Sequence, residues 1–503
     1  MIARIPIATL SIVLLCLAQS PVQLTHEQKL GKAIFLSGES PSGGRITARI
    51  DAGTTPVSGA ILACGGCHGA DGLGRSEGGV MPPGITWEAL TLQKRPAYNE
   101  QTLKRAITLG IDPAGKPVGA VMPRYQMSYA DMNSLLAYLH VLGREIDPGV
   151  GESEVRIGVL LPPGDRLSEM RDAIRVSLES FAADANQKGG VFGRRISLRF
   201  HESESNGDDR VAGIDAFLRR ENVFALVASF LNGAEKQIAA MVNERHVPLI
   251  GALSLYTRTS REPNRFVFYL LAGLAEQGEC LALAMSRIRK SPPKSAILLA
   301  GDELAEFSAD AIEAQYTHLG WQPPIRIRQS PRTAVVAELR ERPPDVVFVM
   351  APGILKDLIA GDSLLRSKPL YLVPGSLADV EPTDIPSQVR DRVLLSFPAL
   401  PSDNTPAGMQ LFRRLVVASP ANSRHVAAQW AALSSASLLL TALNSSGRQL
   451  TQERMLAALE TLYRFDTGLL PPATFGPNRR VASAGAHVMS AADPARSVWI
   501  EPH

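Results

Sequence analysis

Residues Cys64-Gly65-Gly66-Cys67-His68 place the tightest constraint on this 503-residue chain. Two thiols two residues apart can both reach the vinyl groups of one porphyrin and form thioethers. The imidazole that follows is then delivered to an axial face of the iron. Whatever fold forms must leave room for a flat, largely apolar group against this short segment. Two other uses of the pair fail on the rest of the sequence. Zinc asks for further Cys or His ligands, and Cys16 and Cys280 are isolated. A redox dithiol opens a helix within a βαβ pattern, which this stretch lacks. Cys64 and Cys67 are therefore read as anchors of one covalent haem c, with His68 as proximal ligand.

The N-terminus sets the compartment. Met1 to Arg4 is a short positive start, Ile5 to Ala18 is apolar, and Ala18-Gln19-Ser20 offers small residues for cleavage. Residues 1–20 read as a secretory signal, too short for a comfortable span of roughly 20 apolar residues. A periplasmic protein with no stable membrane span after cleavage is expected. Cys16 leaves with the signal, and Cys280 lies in the apolar, helical stretch from Leu271 to Met285 and reads as a buried thiol, so no intrachain disulfide is expected. A net charge of +3 with no basic run sets nucleic acid aside. Ala427 to Leu443, rich in Ala, Leu and Ser, reads as a packed core helix.

A sixth iron ligand must come from downstream, where Met81, Met122, Met127 and Met132 are the candidates. Met122-Pro123-Arg124-Tyr125 precedes a helix expected from Tyr129 to Leu142, and Pro123 holds the methionine in extended chain that can cross a haem face. Its thioether is a soft ligand that favours ferrous iron. Met122 is the axial candidate, with Met127 or an open iron behind it, and an open iron would make peroxide chemistry the enzymatic alternative. Gly31 and Phe35, the haem motif with Gly69, Asp71-Gly72 and Gly74, Met122-Pro123, and Leu136 to Leu139 together make Leu30 to Leu142 resemble a single-haem class I cytochrome c domain. The resemblance implies an all-α unit whose first and last helices cross at Gly31, with Phe35 and Tyr138 interlocked. It also implies that the carbonyl of Pro82 or Pro83 accepts the His68 ring N–H. Ser37 to Ala63, rich in Gly, Ser, Thr and Pro, reads as an irregular surface loop.

Arg144 to Gly151 has linker composition. Strands and helices then alternate, beginning with Val155 to Leu161 and a helix from about Arg166 to Gln187. A second series starts near Gln277 and runs through Ala296 to Ala300, Glu303 to His318, Val346 to Met350 and Leu370 to Val373. Such alternation means parallel sheets covered on both faces, here in two lobes. Asn186-Gln187-Lys188-Gly189-Gly190-Val191-Phe192-Gly193-Arg194-Arg195-Ile196, and more weakly Phe475-Gly476-Pro477, make Val155 to Val488 resemble the type I periplasmic binding proteins, particularly the branched-chain amino-acid and amide binders. The expected fold class is thus multidomain. An all-α cytochrome c domain (21–145) and a linker (146–153) precede a two-lobed α/β binding-protein domain (154–503).

The second resemblance implies a small-molecule ligand in the cleft between lobes. The candidate contacts are Asn232, Ser254, Tyr256, Phe307 and Ser376. The acidic residue that usually meets a ligand ammonium is not evident at Pro374-Gly375-Ser376, which argues against an ordinary α-amino acid. Phe230, Tyr256 and Phe307 suit a more apolar or aromatic molecule. Asp302 and Glu303 read as a helix start. His201, His246 and His318 have no metal-ligand spacing, and no nucleophile elbow, phosphate loop or zinc-protease motif occurs, so no catalytic residue is assigned. The expectation is an electron carrier fused to a receptor, working with a periplasmic redox partner such as a quinoprotein-type dehydrogenase. The alternative is the solute-binding component of an uptake or sensing system, with an ABC permease as partner and the haem as an accessory.

Overall fold

The computed structural model describes residues 24–50, 55–74, 82–203, 207–260, 263–289, 291–328, 332–378, 380–416 and 425–502. The proposed signal, Cys16 and Met81 lie outside the described residues. The chain divides into one unit ending at Ile146 and another beginning at Asp147.

The first unit is built on α1 (His26–Ser37), α2 (Cys64–His68), α3 (Glu100–Leu109) and α4 (Tyr129–Leu139). Thr25 starts α1 with a reciprocal cap: its hydroxyl accepts the Gln28 N–H while the Gln28 side chain accepts the Thr25 N–H. Ser128 caps α4 in the same sense, accepting from the Asp131 N–H. A Cβ on Gly31 would lie 1.9 Å from the carbonyl oxygen of Ser134, so α1 and α4 can meet at this distance only through glycine. One turn on, the buried rings of Phe35 and Tyr138 interlock at a centroid distance of 5.6 Å.

The stretch expected to be an irregular loop before the haem motif contains structure. Strands β1 (Thr47–Arg49) and β2 (Val57–Ser58) join β3 (Arg124–Gln126) in a small antiparallel sheet of order β2-β1-β3. Ala48 stands opposite Tyr125, and Ile46 and Ala48 are buried. The alternation Arg45-Ile46-Thr47-Ala48-Arg49 is a half-buried strand pattern that the surrounding Gly and Ser outweighed. The segment read as a linker is also largely absorbed. Tyr138 donates to Glu145, and Lys32 pairs with Glu145 at 2.9 Å. Asp147 is buried and accepts the Gln452 N–H, beyond the boundary.

The second unit opens with β4 (Glu154–Leu161), α5 (Ser168–Gln187), β5 (Arg195–Glu202), α6 (Gly207–Glu221), β6 (Ala225–Val227), α7 (Glu235–Glu244), β7 (Leu249–Ile250) and β8 (Val267–Leu271). The chain then enters a second lobe with α8 (Leu274–Ile288), β9 (Ser295–Leu299), α9 (Glu303–His318), β10 (Ile325–Arg328), α10 (Arg332–Glu341), β11 (Val346–Met350), α11 (Leu355–Gly361), β12 (Leu370–Pro374), the one-turn α12 (Ser387–Arg390) and β13 (Val393–Phe397). It returns to the first lobe as α13 (Pro406–Val416), α14 (Val426–Ser445), α15 (Gln452–Glu460) and β14 (Val481–Ser483). It crosses again to finish as β15 (Ala486–Ser490) and β16 (Asp493–Ile500). The first lobe holds a parallel sheet of order β14-β8-β7-β6-β4-β5. The second holds β10-β9-β11-β12-β13-β15-β16, with β15 and β16 antiparallel.

The Asn186 to Ile196 motif has a physical basis. Gly190, at φ 63°, returns its N–H to the Ala185 carbonyl and ends α5. The Asn186 amide then clamps β5, accepting from Ile196 N and donating to Ile196 O. Helix α14 is long and apolar enough to cross a membrane, yet it packs as the core helix of the first lobe, with Leu438, Leu439 and Leu443 buried. Cys280 is buried in the second-lobe core.

Replacing Gly31 by alanine is expected to destabilise the first unit by roughly 1–3 kcal/mol, because the added methyl cannot fit without separating the helices. Denaturant melts should show a lower midpoint for Gly31→Ala, and an unchanged midpoint would contradict the packing described.

Candidate haem and ligand sites

Helix α2 is only as long as the motif, so both cysteines and His68 leave one turn of backbone together. His68 is buried, and its Nδ1 lies 3.0 Å from the carbonyl oxygen of Pro83. A carbonyl can only accept, so Nδ1 carries the proton and Nε2 keeps its lone pair. Burial holds the imidazole pKa below its usual value, countered by the Pro83 hydrogen bond, and the ring is neutral near pH 7. Of the two prolines considered, Pro82 lines the same cavity but Pro83 provides the acceptor.

That cavity has a volume of about 690 Å³, and its lining includes Phe35, Cys64, Cys67, His68, Met122 and Tyr125. Met122 is held by its backbone, donating from N to the Gly119 carbonyl and accepting at O from the Arg124 guanidinium. Met132 is buried in the core and Met127 packs against it, so neither lines the cavity. The Tyr125 hydroxyl donates to the Leu62 carbonyl and lies beside Cys64. Burial pushes the Cys64 thiol up to about 11, with the Tyr125 hydrogen bond pulling the other way. Two thiols, an imidazole nitrogen and a thioether around a largely apolar cavity, with Lys94, Arg95 and Asp112 also in its lining, fit a haem.

In the second unit the five candidate contacts all follow the carboxyl ends of parallel strands, where crevices form in open α/β sheets. Asn232 follows β6, Ser254 and Tyr256 follow β7, Phe307 lies in the helix after β9, and Ser376 in the turn after β12. The structure ties the first three together. Asn232 Oδ1 accepts from Leu255 N at 3.2 Å, while the Ser254 hydroxyl accepts from Tyr256 N at 2.9 Å and donates to Tyr256 O. Asn232 and Ser254 thus shape this loop with the groups expected to meet a ligand. No such bond joins Phe307 or the exposed Ser376 to them among the described residues.

Two residues that sequence reasoning missed organise the first-lobe side. Arg210, 5 % exposed, donates to the carbonyls of Asn232 and Phe230, both at 2.7 Å. Glu235, 4 % exposed, accepts from Gly233 N, and burial raises its pKa, with Arg210 among the groups lowering it. Both sit at helix starts in polar sequence, and nothing local separates them from surface charges. Asp302 caps α9 as expected, accepting from Ala305 N at 2.8 Å. Burial pushes the Tyr256 phenol up to about 12, with Asp302 and Glu235 adding to the rise from opposite lobes. Lys236 and Glu303 pair at 2.6 Å between the same two helices, α7 and α9, and so link the lobes directly.

Residues 154–493 match the family model described as periplasmic binding protein, and residues 59–143 match the one described as cytochrome c. The chain belongs to the periplasmic binding protein family and carries a cytochrome c domain before it in sequence. Solved structures agree on the fold of the larger part. A branched-chain amino-acid ABC transporter protein from Thermus thermophilus with bound valine superposes with a TM-score of 0.55 at 14% identity, covering 71% of this chain and 97% of that one. A fatty acid ABC transporter substrate-binding protein from Thermomonospora curvata gives 0.52 at 15% identity, covering 71% and 93%. An ABC transporter substrate-binding protein from Aeropyrum pernix gives 0.53 at 16%, covering 70% and 97%. Identities this low establish the fold alone. No curated protein matches the chain.

Replacing Arg210 by methionine is expected to cost the second unit about 2–4 kcal/mol, since it removes the donors to the Phe230 and Asn232 carbonyls and a positive charge near buried Glu235. Chemical denaturation of Arg210→Met against wild type checks this, and a loss below 1 kcal/mol would deny Arg210 its organising part.

Proposed function

We propose that this protein is a periplasmic electron carrier with one covalent haem c, fused to a small-molecule receptor. The observation that carries the reading is the cavity shared by Cys64, Cys67, His68 and Met122, with Pro83 holding the imidazole. Cys64 and Cys67 would anchor the haem, and His68 and Met122 would take the two axial positions. Such a haem supplies one-electron exchange between its ferric and ferrous forms. The Pro83 carbonyl fixes the His68 ring orientation and raises its basicity. The apolar lining from Phe35, Leu135 and Leu139 keeps water from the ligands. The backbone bonds at Met122 hold its side chain at the cavity rather than free in solvent.

The receptor would bind between the carboxyl ends of the two sheets, through the loop of Asn232, Ser254 and Tyr256 from one lobe and Phe307 and Ser376 from the other. Electrons would pass to or from a periplasmic partner, with a quinoprotein-type dehydrogenase as the donor suggested by the fusion. The second reading, a solute receptor serving an ABC permease, is favoured by the transporter proteins that share the fold.

Oxidised wild type should show the weak long-wavelength sulfur-to-iron band, and Met122→Leu should lose it. Absence of the band in wild type would transfer the axial role away from Met122 and reopen peroxide chemistry. A small molecule found by thermal shift should also move the haem potential if the two units are coupled, since linkage is reciprocal. An unmoved potential, with solute uptake lost on gene deletion, would favour the transport reading.

A further inference from the structure

Arg124, the first residue of β3, is half-buried and makes no ion pair among the described residues. Its Nη1 donates instead to the Met122 carbonyl, two residues back. The guanidinium lies across Gly110, the left-handed residue at φ 69° that ends α3, and a Cβ built there would fall on it. Any other residue at 110 therefore meets two objections, a positive φ and an occupied Cβ position. The glycine ends the helix, and its bare face seats the arginine.

The contacts around Met122 close into a ring. Gly110 O accepts from Val118 N at 2.9 Å, and Gly119 O accepts from Met122 N at 3.0 Å. Arg124 comes back from the other side of Met122 to its carbonyl and to Gly110. Both backbone polar groups of Met122 are thus bonded within residues 110–124. Ala106 and Ile107 of α3 line the haem cavity together with Met122, so the ring fastens the methionine to a helix that walls it. Pairing with β1 begins at Arg124 itself, opposite Arg49, and does not reach back to Met122. The bond that closes the ring comes from a charged donor, which is among the stronger kinds of hydrogen bond.

We propose that Arg124 is a positioning residue for the sulfur ligand: seated on Gly110, it holds the Met122 backbone so that the thioether resists displacement by ligands from solution. This role rests on the axial position of Met122 proposed above. Arg124 is not part of the cavity lining and acts through the Met122 carbonyl. An outside ligand can take the axial position only while the thioether is away from it. With Arg124 in place, a thioether that lets go is still held at the cavity and returns. Without Arg124 the freed stretch gains conformations, the open form is more populated, and an outside ligand binds more tightly in the same proportion.

Imidazole titrated into the oxidised, haem-loaded full chain at about pH 8, where it is mostly neutral, tests this. Its nitrogen takes the place the thioether leaves, and the long-wavelength sulfur-to-iron band disappears as it binds. Arg124→Leu should keep the band and bind imidazole about tenfold more tightly than wild type. Gly110→Ala should do the same by unseating the arginine, and the double variant should bind no more tightly than either single one. Asn99→Ala removes the cap of α3 and lowers the melting midpoint, yet should leave imidazole affinity unchanged, which separates a grip on Met122 from general fragility. Thermal melts and the haem spectrum establish that each variant folds, and if Gly110→Ala does not, Arg124→Leu against Asn99→Ala still decides. Wild type without the band overturns the axial reading and the role of Arg124 with it. With the band present, unchanged imidazole affinity in Arg124→Leu, an equal rise in Asn99→Ala, or additive effects of the Gly110 and Arg124 changes would overturn the role of Arg124 alone.

Discussion

The close crossing of α1 and α4 at Gly31 is the contact on which the first unit depends. A side chain at that position would hold the two helices apart. Phe35 would then lose Tyr138, and the wall that Phe35, Leu135 and Leu139 present to the cavity would open. The motif at Cys64 to His68 brings its chemistry with it, but a five-residue helix has no means of building an apolar pocket around itself. The pocket comes from helices at the two ends of the unit, and one glycine allows them to make it.

Much of this was legible in the sequence, because the features involved are local. The spacing of Cys64, Cys67 and His68, the proline after Met122, and the alternation of strands and helices after Glu154 each announce themselves within a few residues. The small sheet was not legible. Its strands are two or three residues long, and β3 contributes a partner from far along the chain, so no window of sequence holds the pairing. The choice of Pro83 over Pro82 depends on where the following loop turns back, which only the folded chain decides.

In the second unit the lobes were legible and the polar interior was not. Arg210 and Glu235 look like ordinary surface charges in a helix-rich stretch, and burial alone gives them significance. Asn232 and Ser254 show the converse. The sequence marks them as ligand contacts, whereas in the fold their side chains already bond the loop to itself. A loop whose polar groups are mutually satisfied is preorganised, and in the proposed receptor role its specificity would rest more on shape and on Tyr256 than on free donors.

The sheet formed by β1, β2 and β3 has a bearing on electron transfer. The strand just after Met122 is stitched to a segment that itself precedes Cys64, so the two stretches of chain that reach the cavity from opposite directions are fastened to one another. A methionine loop restrained in this way has little freedom to recoil when the charge at the cavity changes. With Met122 in the proposed axial role, the nuclear rearrangement accompanying each electron would be correspondingly small, and the insertion before the haem motif would help to keep the exchange fast.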